Sequence, residues 1–462
     1  MAAICVAASA AIVSADPTLP TIGPPVIDPT VSNPSVDGGS VFSTTSDAAD
    51  NKTVLNAFIK YASSLTTTVN GQTVMGGTIA IPAGTYTTNE ITLQNNVNLN
   101  LAAGSELLNS SYGNTLIDAN SGASNIEISG SGIIDGAATT LTSGTNLVVL
   151  NHVSNLEITG VSIDDSSHEH LVVETSNNVT INGITIADPA AVADGGYLKN
   201  TDGIDYSGSN FLIENSNISD GDDDIVEKPS SVLASNILIQ GDSIGAGHGI
   251  SIGGGTAGGV QNFVVNNISF NGTGTGLRIK AEDVTNNNED AGGGTTNPVN
   301  GITYSNITMK NVTTPIVIES FYNGNDIFPN SPTNRTYYPS TAVAQDSGTP
   351  DYDNILFENI SATGASMAGY IEGLNTSPAS IDGVVFENVN IQANAQMNLW
   401  YATNVDTSGL TVTVPTNNPY YAVTATNPVS GVWEYDVTVP EPASLAIGSL
   451  GYLLLLRRRR DS

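Results

Sequence analysis

Short segments of alternating apolar and polar residues recur along most of the chain. Six copies begin with an asparagine, as in Asn125-Ile126-Glu127-Ile128, and their first residues are Asn125, Asn155, Asn178, Asn210, Asn236 and Asn262. Their separations are 30, 23, 32, 26 and 26 residues. Alternation over so few positions, bracketed by turn residues, predicts short half-buried strands. A period of about 20 to 30 residues that holds two or three strands indicates a solenoid.

Two other repeat architectures are excluded by their own signatures. The Leu-x-x-Leu-x-Leu pattern of leucine-rich repeats is missing, and so are the repeated Gly-His and Trp-Asp signals of propeller blades. An all-β, parallel β-helix remains, in which each coil adds about 4.8 Å and apolar side chains point inward. Asparagine suits a fixed turn position of such a coil, because it tolerates left-handed backbone angles and can stack in hydrogen-bonded ladders.

The segment before the repeats predicts a helix instead of a strand. Residues 47–64 have apolar side chains at helical spacing, namely Val54, Leu55, Phe58, Ile59 and Ala62. A short amphipathic helix here can cap the first coil, which otherwise exposes its apolar interior. Residues 16–45 are rich in Pro, Ser and Thr and predict an extended leader or linker. We therefore expect the β-helix domain to span residues 46–438.

Both ends of the chain indicate export. Residues 1–15 are small and apolar and resemble a signal peptide without its basic start. At the other end, residues 439–442 read Val-Pro-Glu-Pro and precede 14 apolar residues and four arginines, Arg457 to Arg460. Residues 439–462 therefore resemble the PEP-CTERM sorting signal of certain Gram-negative bacteria, in which a membrane protease removes the tail. The resemblance implies sorting to the cell envelope or extracellular matrix; an ordinary tail anchor is the alternative.

Composition narrows the range of partners. The net charge is −32, with 12 lysines and arginines, four of which form the terminal run. Such a surface repels polyanions, so we expect no nucleic acid partner. The single cysteine, Cys5, leaves the mature chain without disulfide bonds.

Four segments depart from the repeat and carry candidate chemistry. They are residues 200–203 (Asn-Thr-Asp-Gly), 221–224 (Gly-Asp-Asp-Asp), 247–249 (Gly-His-Gly) and 278–280 (Arg-Ile-Lys). Asp202, Asp222, His248 and Arg278 are separated by 20, 26 and 30 residues, which is one coil each. Residues one coil apart stack on the same face, so all four segments should line one stripe of the β-helix wall.

The stripe combines several carboxylates with cations. Lys199, Lys228, Arg278 and Lys280 are half of the eight basic residues outside the tail, which favours an anionic ligand. Glycosidic cleavage needs one protonated carboxyl group and one carboxylate that activates water. Crowding of carboxylates raises the pKa of one of them, which keeps an acid protonated near neutrality.

At these four segments the chain resembles the polygalacturonases of glycoside hydrolase family 28. The resemblance spans roughly residues 40–400 and implies a right-handed, pectin-lyase-like β-helix that hydrolyses α-1,4-galacturonosyl linkages of pectin with inversion. Asp222 would be the general acid, Asp202 and Asp223 would hold the attacking water, and His248 would tune the acid's protonation. The substrate-binding residues that it implies are Asn200, Arg278, Lys280 and Tyr322.

Two positions depart from the family's Gly-Asp-Asp-x-Ile-x-x-Lys pattern. Gly221 and Lys228 select Asp222 and Asp223 as the aspartate pair, which leaves Asp224 where a small or thiol residue is usual. Glu227 stands where an apolar residue is expected. Among the other histidines, we expect His170 to border the cleft.

Two alternative functions stay open from the residues. A pectate lyase shares the β-helix and the substrate but would use a base and calcium, and a surface adhesin or carbohydrate-binding module would need no catalytic acid. The hydrolase interpretation requires no metal and no cofactor, and we expect a monomer.

Overall fold

The structure is a computed structural model, which describes residues 17–111, 113–138, 144–188, 200–282, 291–320, 322, 348–374 and 380–415. Parallel strands wind into a right-handed β-helix, and each strand pairs with the strand one coil earlier and one coil later. The strands form three stacks, A, B and C, which follow one another in each coil. The sorting tail, residues 439–462, and the signal-peptide-like segment, residues 1–15, lie outside the described residues.

The strands confined to one stack are short. Stack A contains Val26–Ile27, Gly77–Ile81, Val97–Leu101, Ser124–Gly130, Ser154–Thr159, Ala234–Gln240, Val260–Asn266 and Ala402–Thr403. Stack B contains Gly84–Thr88, Ser105–Asn109, Ile133–Asp135, Ser162–Asp164, Thr185–Ala187, Asn217–Ser219, Ser243–Ile244, Ser269–Asn271 and Leu410–Thr413. Stack C contains Ile91–Leu93, Ile117–Ala119, Val148–Val149, Ile225–Glu227, Ile250–Ile252, Thr275–Lys280, Thr314–Glu319, Gly369–Glu372 and Met397–Trp400.

Five longer strands bend from one stack into the next. Leu171–Asn182 and Ile204–Glu214 run from stack C into stack A. Val299–Lys310, Tyr352–Ala365 and Ile381–Ala393 run from stack A into stack B. One antiparallel hairpin, formed by Thr66–Val69 and Gln72–Met75, lies outside the stacks.

One apolar core runs along the inside of the coils, because alternate side chains of every strand point inward. In stack C the column Ile204, Ile225, Ile250, Leu277 and Ile316 is in register and is 0–1% exposed. In stack A, the rings of Tyr304, Phe357 and Phe386 stack with centroids 5.1 Å apart. Burial of such columns supplies the main favourable term for folding.

The repeated asparagines form a ladder at the start of stack A. Each side-chain amide donates a hydrogen bond to the asparagine one coil earlier, at 3.0–3.4 Å, along Asn96, Asn125, Asn155, Asn178, Asn210, Asn236 and Asn262. Their φ angles are +52° to +61°, the left-handed region that asparagine tolerates. The repeat therefore marks one turn of the coil.

The predicted capping helix spans Ala48–Ser64, after the short helix Pro34–Asp37. Asp47 caps its N-terminus by accepting a hydrogen bond from the Asp50 amide. All five predicted apolar positions of the helix are buried. The segment predicted as an extended leader is packed against the first coil, because Val26–Ile27 pairs with Thr78–Ile79 and Phe42 is fully buried.

Candidate active site

The four motif segments lie on four successive coils, three of them in the same turn and the fourth on the strand that follows this turn. Residues 200–202, 222–224 and 247–249 end the turns that lead from stack B into stack C, and the fourth segment lies on strand Thr275–Lys280 of stack C. Backbone hydrogen bonds hold the turns in register: the Gly203 amide donates to the Asp223 carbonyl at 3.0 Å, and the His248 amide donates to the Asp222 carbonyl at 2.5 Å. The coil stacking therefore brings these segments together.

Asp223 is the most tightly held carboxylate of the site. Its Oδ1 accepts hydrogen bonds from Arg278 Nη2 at 2.6 Å and Ser251 Oγ at 2.8 Å, and its Oδ2 accepts one from Lys280 Nζ at 2.9 Å. Burial alone would raise the pKa of Asp223, but the two cations outweigh burial and hold this pKa far below its usual range. Asp223 is thus a permanent carboxylate.

Asp222 is the more accessible neighbour, with 20% of its side chain exposed. Its Oδ1 lies 3.0 Å from His248 Nδ1, and its Oδ2 accepts a hydrogen bond from the Asn200 amide at 2.8 Å. Burial raises the pKa of Asp222, but the hydrogen bond to His248 and the charge of that imidazole help to lower it overall. In the free protein, Asp222 is therefore held as a carboxylate.

Asp202 lies in a second cluster of carboxylates around one lysine. Lys228 Nζ is 2.8 Å from Asp202 Oδ2, 2.6 Å from Asp205 Oδ2 and 3.8 Å from Glu169 Oε1. Burial raises the pKa of Asp202 to about 7; Lys228 opposes the increase, and nearby aspartates add to it. Crowding was expected to raise the pKa of the general acid, but the pKa of Asp222 is lowered, because Asp222 has His248 beside it.

Asp224 lies beneath the cleft and not in it. Its side chain is fully buried, and its Oδ2 accepts a hydrogen bond from the Gly249 amide at 2.7 Å. Burial raises the pKa of Asp224 well above its usual value, which makes it a neutral hydrogen-bonding group. At Gly247, whose φ is +143°, a Cβ would lie 2.3 Å from Asp224 Oδ2, so this turn requires glycine. Of the three consecutive aspartates, Asp222 and Asp223 are therefore the two that contact the other residues of the cleft.

The predicted substrate-binding cations are close together and already engaged. Arg278 and Lys280 are each 3% exposed, and both donate to Asp223. Tyr322 lies over them, with its ring centroid 4.5 Å from Lys280 Nζ and 5.9 Å from Arg278 Cζ. These distances are within the range of cation–π interactions. A substrate carboxylate must compete with Asp223 for these cations.

The expectation for His170 is wrong. The side chain of His170 is 0% exposed, and its Nδ1 lies 3.2 Å from the backbone carbonyl of Asp202. Burial lowers the pKa of His170 to about 4, so it is neutral near pH 7 and does not face a bound sugar. The half-buried neighbour His168 is closer to the cleft surface, with its Nδ1 2.7 Å from Asn146 Oδ1.

Sequence reasoning missed three residues of the second cluster: Glu169, Asp205 and Lys228. Lys228 was used only in the count of basic residues and in the match to the Gly-Asp-Asp-x-Ile-x-x-Lys pattern, and no role in the site was predicted for it. Asp205 follows Asp202 by three residues and occupies an outward position of strand Ile204–Glu214, so alternation on that strand could have identified it. Nothing in the spacing of Glu169 indicated its approach to Lys228.

Among the residues that the structure describes, two groups of side chains have enough ligand atoms close together to hold a metal ion. They are Asp222, Asp223 and His248, and Glu169, Asp202 and Asp205, with ligand atoms within 4.8 Å of one another in each group. In the first group Lys280 contacts Asp223, and in the second Lys228 bridges the carboxylates. Protein cations therefore supply part of the balancing charge in both groups.

Comparisons with known proteins identify the family and support the fold. The family model "Glycosyl hydrolases family 28" matches residues 67–411. The endo-polygalacturonase of Pectobacterium parmentieri is 34% identical over 219 residues, which cover 47% of this chain and 46% of that protein. The polygalacturonase of Ralstonia nicotianae is 30% identical over 278 residues, which cover 52% of this chain and 47% of that protein.

The aligned segment spans about half the length of these relatives. Among solved structures, a hyperthermoactive exopolygalacturonase from Thermotoga maritima superposes with a TM-score of 0.63 at 17% identity, over 85% of this chain and 94% of that chain. That similarity supports the β-helix fold. The family model covers most of the chain, including all four motif segments, and on this evidence the chain belongs to glycosyl hydrolases family 28.

Proposed function

We propose that this protein hydrolyses α-1,4-galacturonosyl linkages in polygalacturonate with inversion at the anomeric carbon. One observation carries the proposal: the carboxylate pair Asp222 and Asp223 lies against Arg278, Lys280 and His248, as the four motifs require. Relatives named as polygalacturonases support the same substrate.

The charges of the site indicate different catalytic roles for its carboxyl groups. Asp223, held by two cations, cannot give up a proton, so it serves to hold the attacking water together with Asp202. Asp222 is the most exposed of the three aspartates and shares a hydrogen bond with His248, so it serves as the acid that protonates the leaving oxygen.

Substrate binding supplies the proton shift that this assignment needs. Lys280 is one of the groups that lower the pKa of Asp222 in the free protein. A galacturonate carboxylate at Lys280 offsets that charge, which raises the pKa of Asp222 and favours its protonated form. The acid thus becomes protonated when an anionic substrate is in place.

The decisive measurement is proton NMR of the anomer freshly released from polygalacturonate. We expect a β-anomer first, because an inverting attack on an α-linkage gives the opposite configuration. The Asp222→Asn variant should lose activity by at least about a hundredfold, within the range for removal of a general acid, and keep the wild-type circular dichroism spectrum.

Three outcomes contradict the proposal. Ultraviolet-absorbing, calcium-dependent products would identify a pectate lyase. A folded protein that releases no reducing ends from any pectic polymer would be a binding protein or adhesin. Retention of more than a few per cent of activity by Asp222→Asn would remove the role given to Asp222.

We also propose that the protein is exported and sorted through its C-terminal tail. No helix among the described residues has the length and apolar character needed to cross a membrane. The proposal rests on the Val-Pro-Glu-Pro motif, the apolar segment and the four terminal arginines of residues 439–462. Fractionation of cells that express the full chain and a chain ending at residue 438 tests it. The full chain should be processed and retained at the envelope or matrix, and identical location of both chains would contradict the proposal.

A further inference from the structure

The cluster around Lys228 has more negative than positive charge. The carboxyl groups of Glu169, Asp202 and Asp205 lie within 4.8 Å of one another. Among the described residues, Lys228 is the only cation that forms ion pairs with them. If all three were ionised, the cluster would carry two uncompensated charges. Because Asp202 and Asp205 are only 2–3% exposed, that charge would be costly to maintain. The cluster therefore retains a proton.

Distance decides where that proton rests. Lys228 Nζ lies 2.8 Å from Asp202 and 2.6 Å from Asp205, in hydrogen-bond range, but 3.8 Å from Glu169. The two aspartates gain most from the ammonium group as carboxylates. Glu169 gains least from it, so Glu169 is the group that takes up the proton.

We propose that Lys228 is a positioning residue, which favours the ionised form of Asp202 and orients it for activation of water, and that Glu169 holds the proton retained by the cluster. This inference rests on the proposed hydrolytic function and extends it to two residues outside the four motifs. Lys228 acts through Asp202 and does not itself contact the reacting atoms.

The pKa of Asp202 is raised to about 7 despite Lys228, and the pKa of Glu169 is raised further, so Glu169 takes up a proton before Asp202 as the pH falls. Burial is the main cause that raises the pKa of Glu169, to about 8, with repulsion from Asp205 as the next cause. For Lys228, burial would lower the pKa, but Asp202 and Asp205 raise it well above its usual value, so the ammonium stays charged.

Other charged groups surround the cluster and bear on its pH dependence. Asp222 and Asp223 face Asp202 from the next coil and raise its pKa, and Glu174 repels Glu169. His168 lies near Lys228, and buried His170 contacts the Asp202 backbone. Arg278 and Lys280, the cations of the neighbouring group that contains Asp222 and Asp223, are bound to Asp223.

The test compares the pH dependence of kcat/KM on polygalacturonate in four proteins. In Lys228→Gln, loss of the ammonium group should move the acidic limb of the curve of kcat/KM against pH to higher pH by at least about one unit. At a given pH on that limb, kcat/KM should then be about tenfold lower. Lys228→Arg keeps the charge and should restore the limb to within half of that shift. Glu169→Gln reproduces a protonated Glu169 and should leave the midpoint of the acidic limb where it is in the wild type.

Glu174→Gln is the matched control, since it removes a nearby carboxylate that Lys228 does not contact; its limb should match the wild type. Carboxyl titration by ¹³C NMR gives a readout that needs no activity: Glu169→Gln should remove one carboxyl group that titrates above neutral pH. A circular dichroism melt of Lys228→Gln establishes that the variant is folded.

Three results would overturn the inference: an unmoved limb in folded Lys228→Gln, an acidic limb lowered by a unit in Glu169→Gln, or no lost titration in that variant. If wild-type protein fails to hydrolyse polygalacturonate, the proposed function fails, but the carboxyl titrations of wild type, Lys228→Gln and Glu169→Gln still decide the ionic arrangement.

Discussion

At the scale of single residues, Glu227 is the least expected feature of the wall that carries the site. Strand Ile225–Glu227 alternates, so Glu227 points inward like Ile225, and the register places it beside Tyr206 of the preceding coil. It is fully buried, and neither carboxyl oxygen has a hydrogen-bond partner among the described residues. Burial raises the pKa of Glu227 well above its usual value, so it is protonated in the folded protein.

This predicts a stability that falls as pH rises. The unfolded chain releases the Glu227 proton near pH 4.5, whereas the folded chain keeps it to a much higher pH, so folding binds a proton between these values. We expect Glu227→Gln to raise the free energy of unfolding at pH 7 by about 1–3 kcal/mol. The gain should vanish below about pH 4.

Urea unfolding of the two proteins at several pH values checks this prediction, with Glu358→Gln on an outward, half-buried position as control. Equal stability of Glu227→Gln and wild type at pH 7 would contradict the assignment of a costly buried acid.

At the scale of elements, the asparagine ladder and the capping helix show what periodicity can and cannot predict. The spacing of Asn125, Asn155 and Asn178 is enough to assign coils, because ladder contacts depend only on the position of a residue within its coil. Alternation of apolar residues predicts the short strands, and helical spacing of apolar residues predicts the capping helix, but the sequence left open whether a coil holds two or three strands.

The ionisation of the site could not be predicted in this way. Repeat spacing places Asp202 and Asp222 on one face, but their opposite pKa shifts depend on burial, which outweighs the contact with Lys228 at Asp202, and on the contact with His248, which lowers the pKa of Asp222. Those contacts depend on side-chain direction within a turn, and the spacing carries no information about it. The approach of Glu169 to Lys228 is hidden for the same reason.

One ladder position provides a test of the element. Asn178 donates to Asn155 at 3.2 Å and accepts from Asn210 at 3.3 Å, with φ of +57°. Asn178→Ala should lower the free energy of unfolding by about 2–4 kcal/mol, from lost hydrogen bonds and a strained left-handed backbone.

Asn178→Gly separates these two causes, because glycine adopts the same φ without strain. It should be more stable than Asn178→Ala by about 1 kcal/mol in urea unfolding. If the two variants were equally stable, backbone strain would have no part in the effect.

The capping helix provides a second test. Phe58 is 1% exposed and belongs to the same core as the coils. Phe58→Ala should destabilise the protein by about 3–5 kcal/mol, as expected for loss of a buried ring. Exposed Lys60 on the same helix is the control, and Lys60→Ala should change the urea midpoint little. Similar midpoints for both variants would mean that the helix does not stabilise the β-helix.

At the scale of the whole molecule, net charge opposes binding of the proposed substrate. The chain carries −32, and polygalacturonate is itself a polyanion. The two repel each other at long range, although Arg278 and Lys280 give local attraction at the site. Salt screens the long-range part first, since the screening length is about 10 Å at 0.1 M ionic strength.

We therefore expect kcat/KM on polygalacturonate to rise severalfold when ionic strength increases from about 0.01 to 0.1 M. Steady-state kinetics at constant pH measures this rise, and a short, uncharged methyl-esterified oligogalacturonide as substrate is the control, with little salt dependence expected. A fall with salt for the charged polymer would show that the local cations dominate its capture.

The pairing of each strand with only the coils before and after it has a consequence for how such a chain can change over time. The motif segments depend on four neighbouring coils, so whole coils can be gained or lost nearer either end without altering the distance from Asp202 to Arg278. Duplication of one repeat unit would lengthen the groove on one side of the reaction centre, and the reach along a polymer could thus diversify while the chemistry stayed constant.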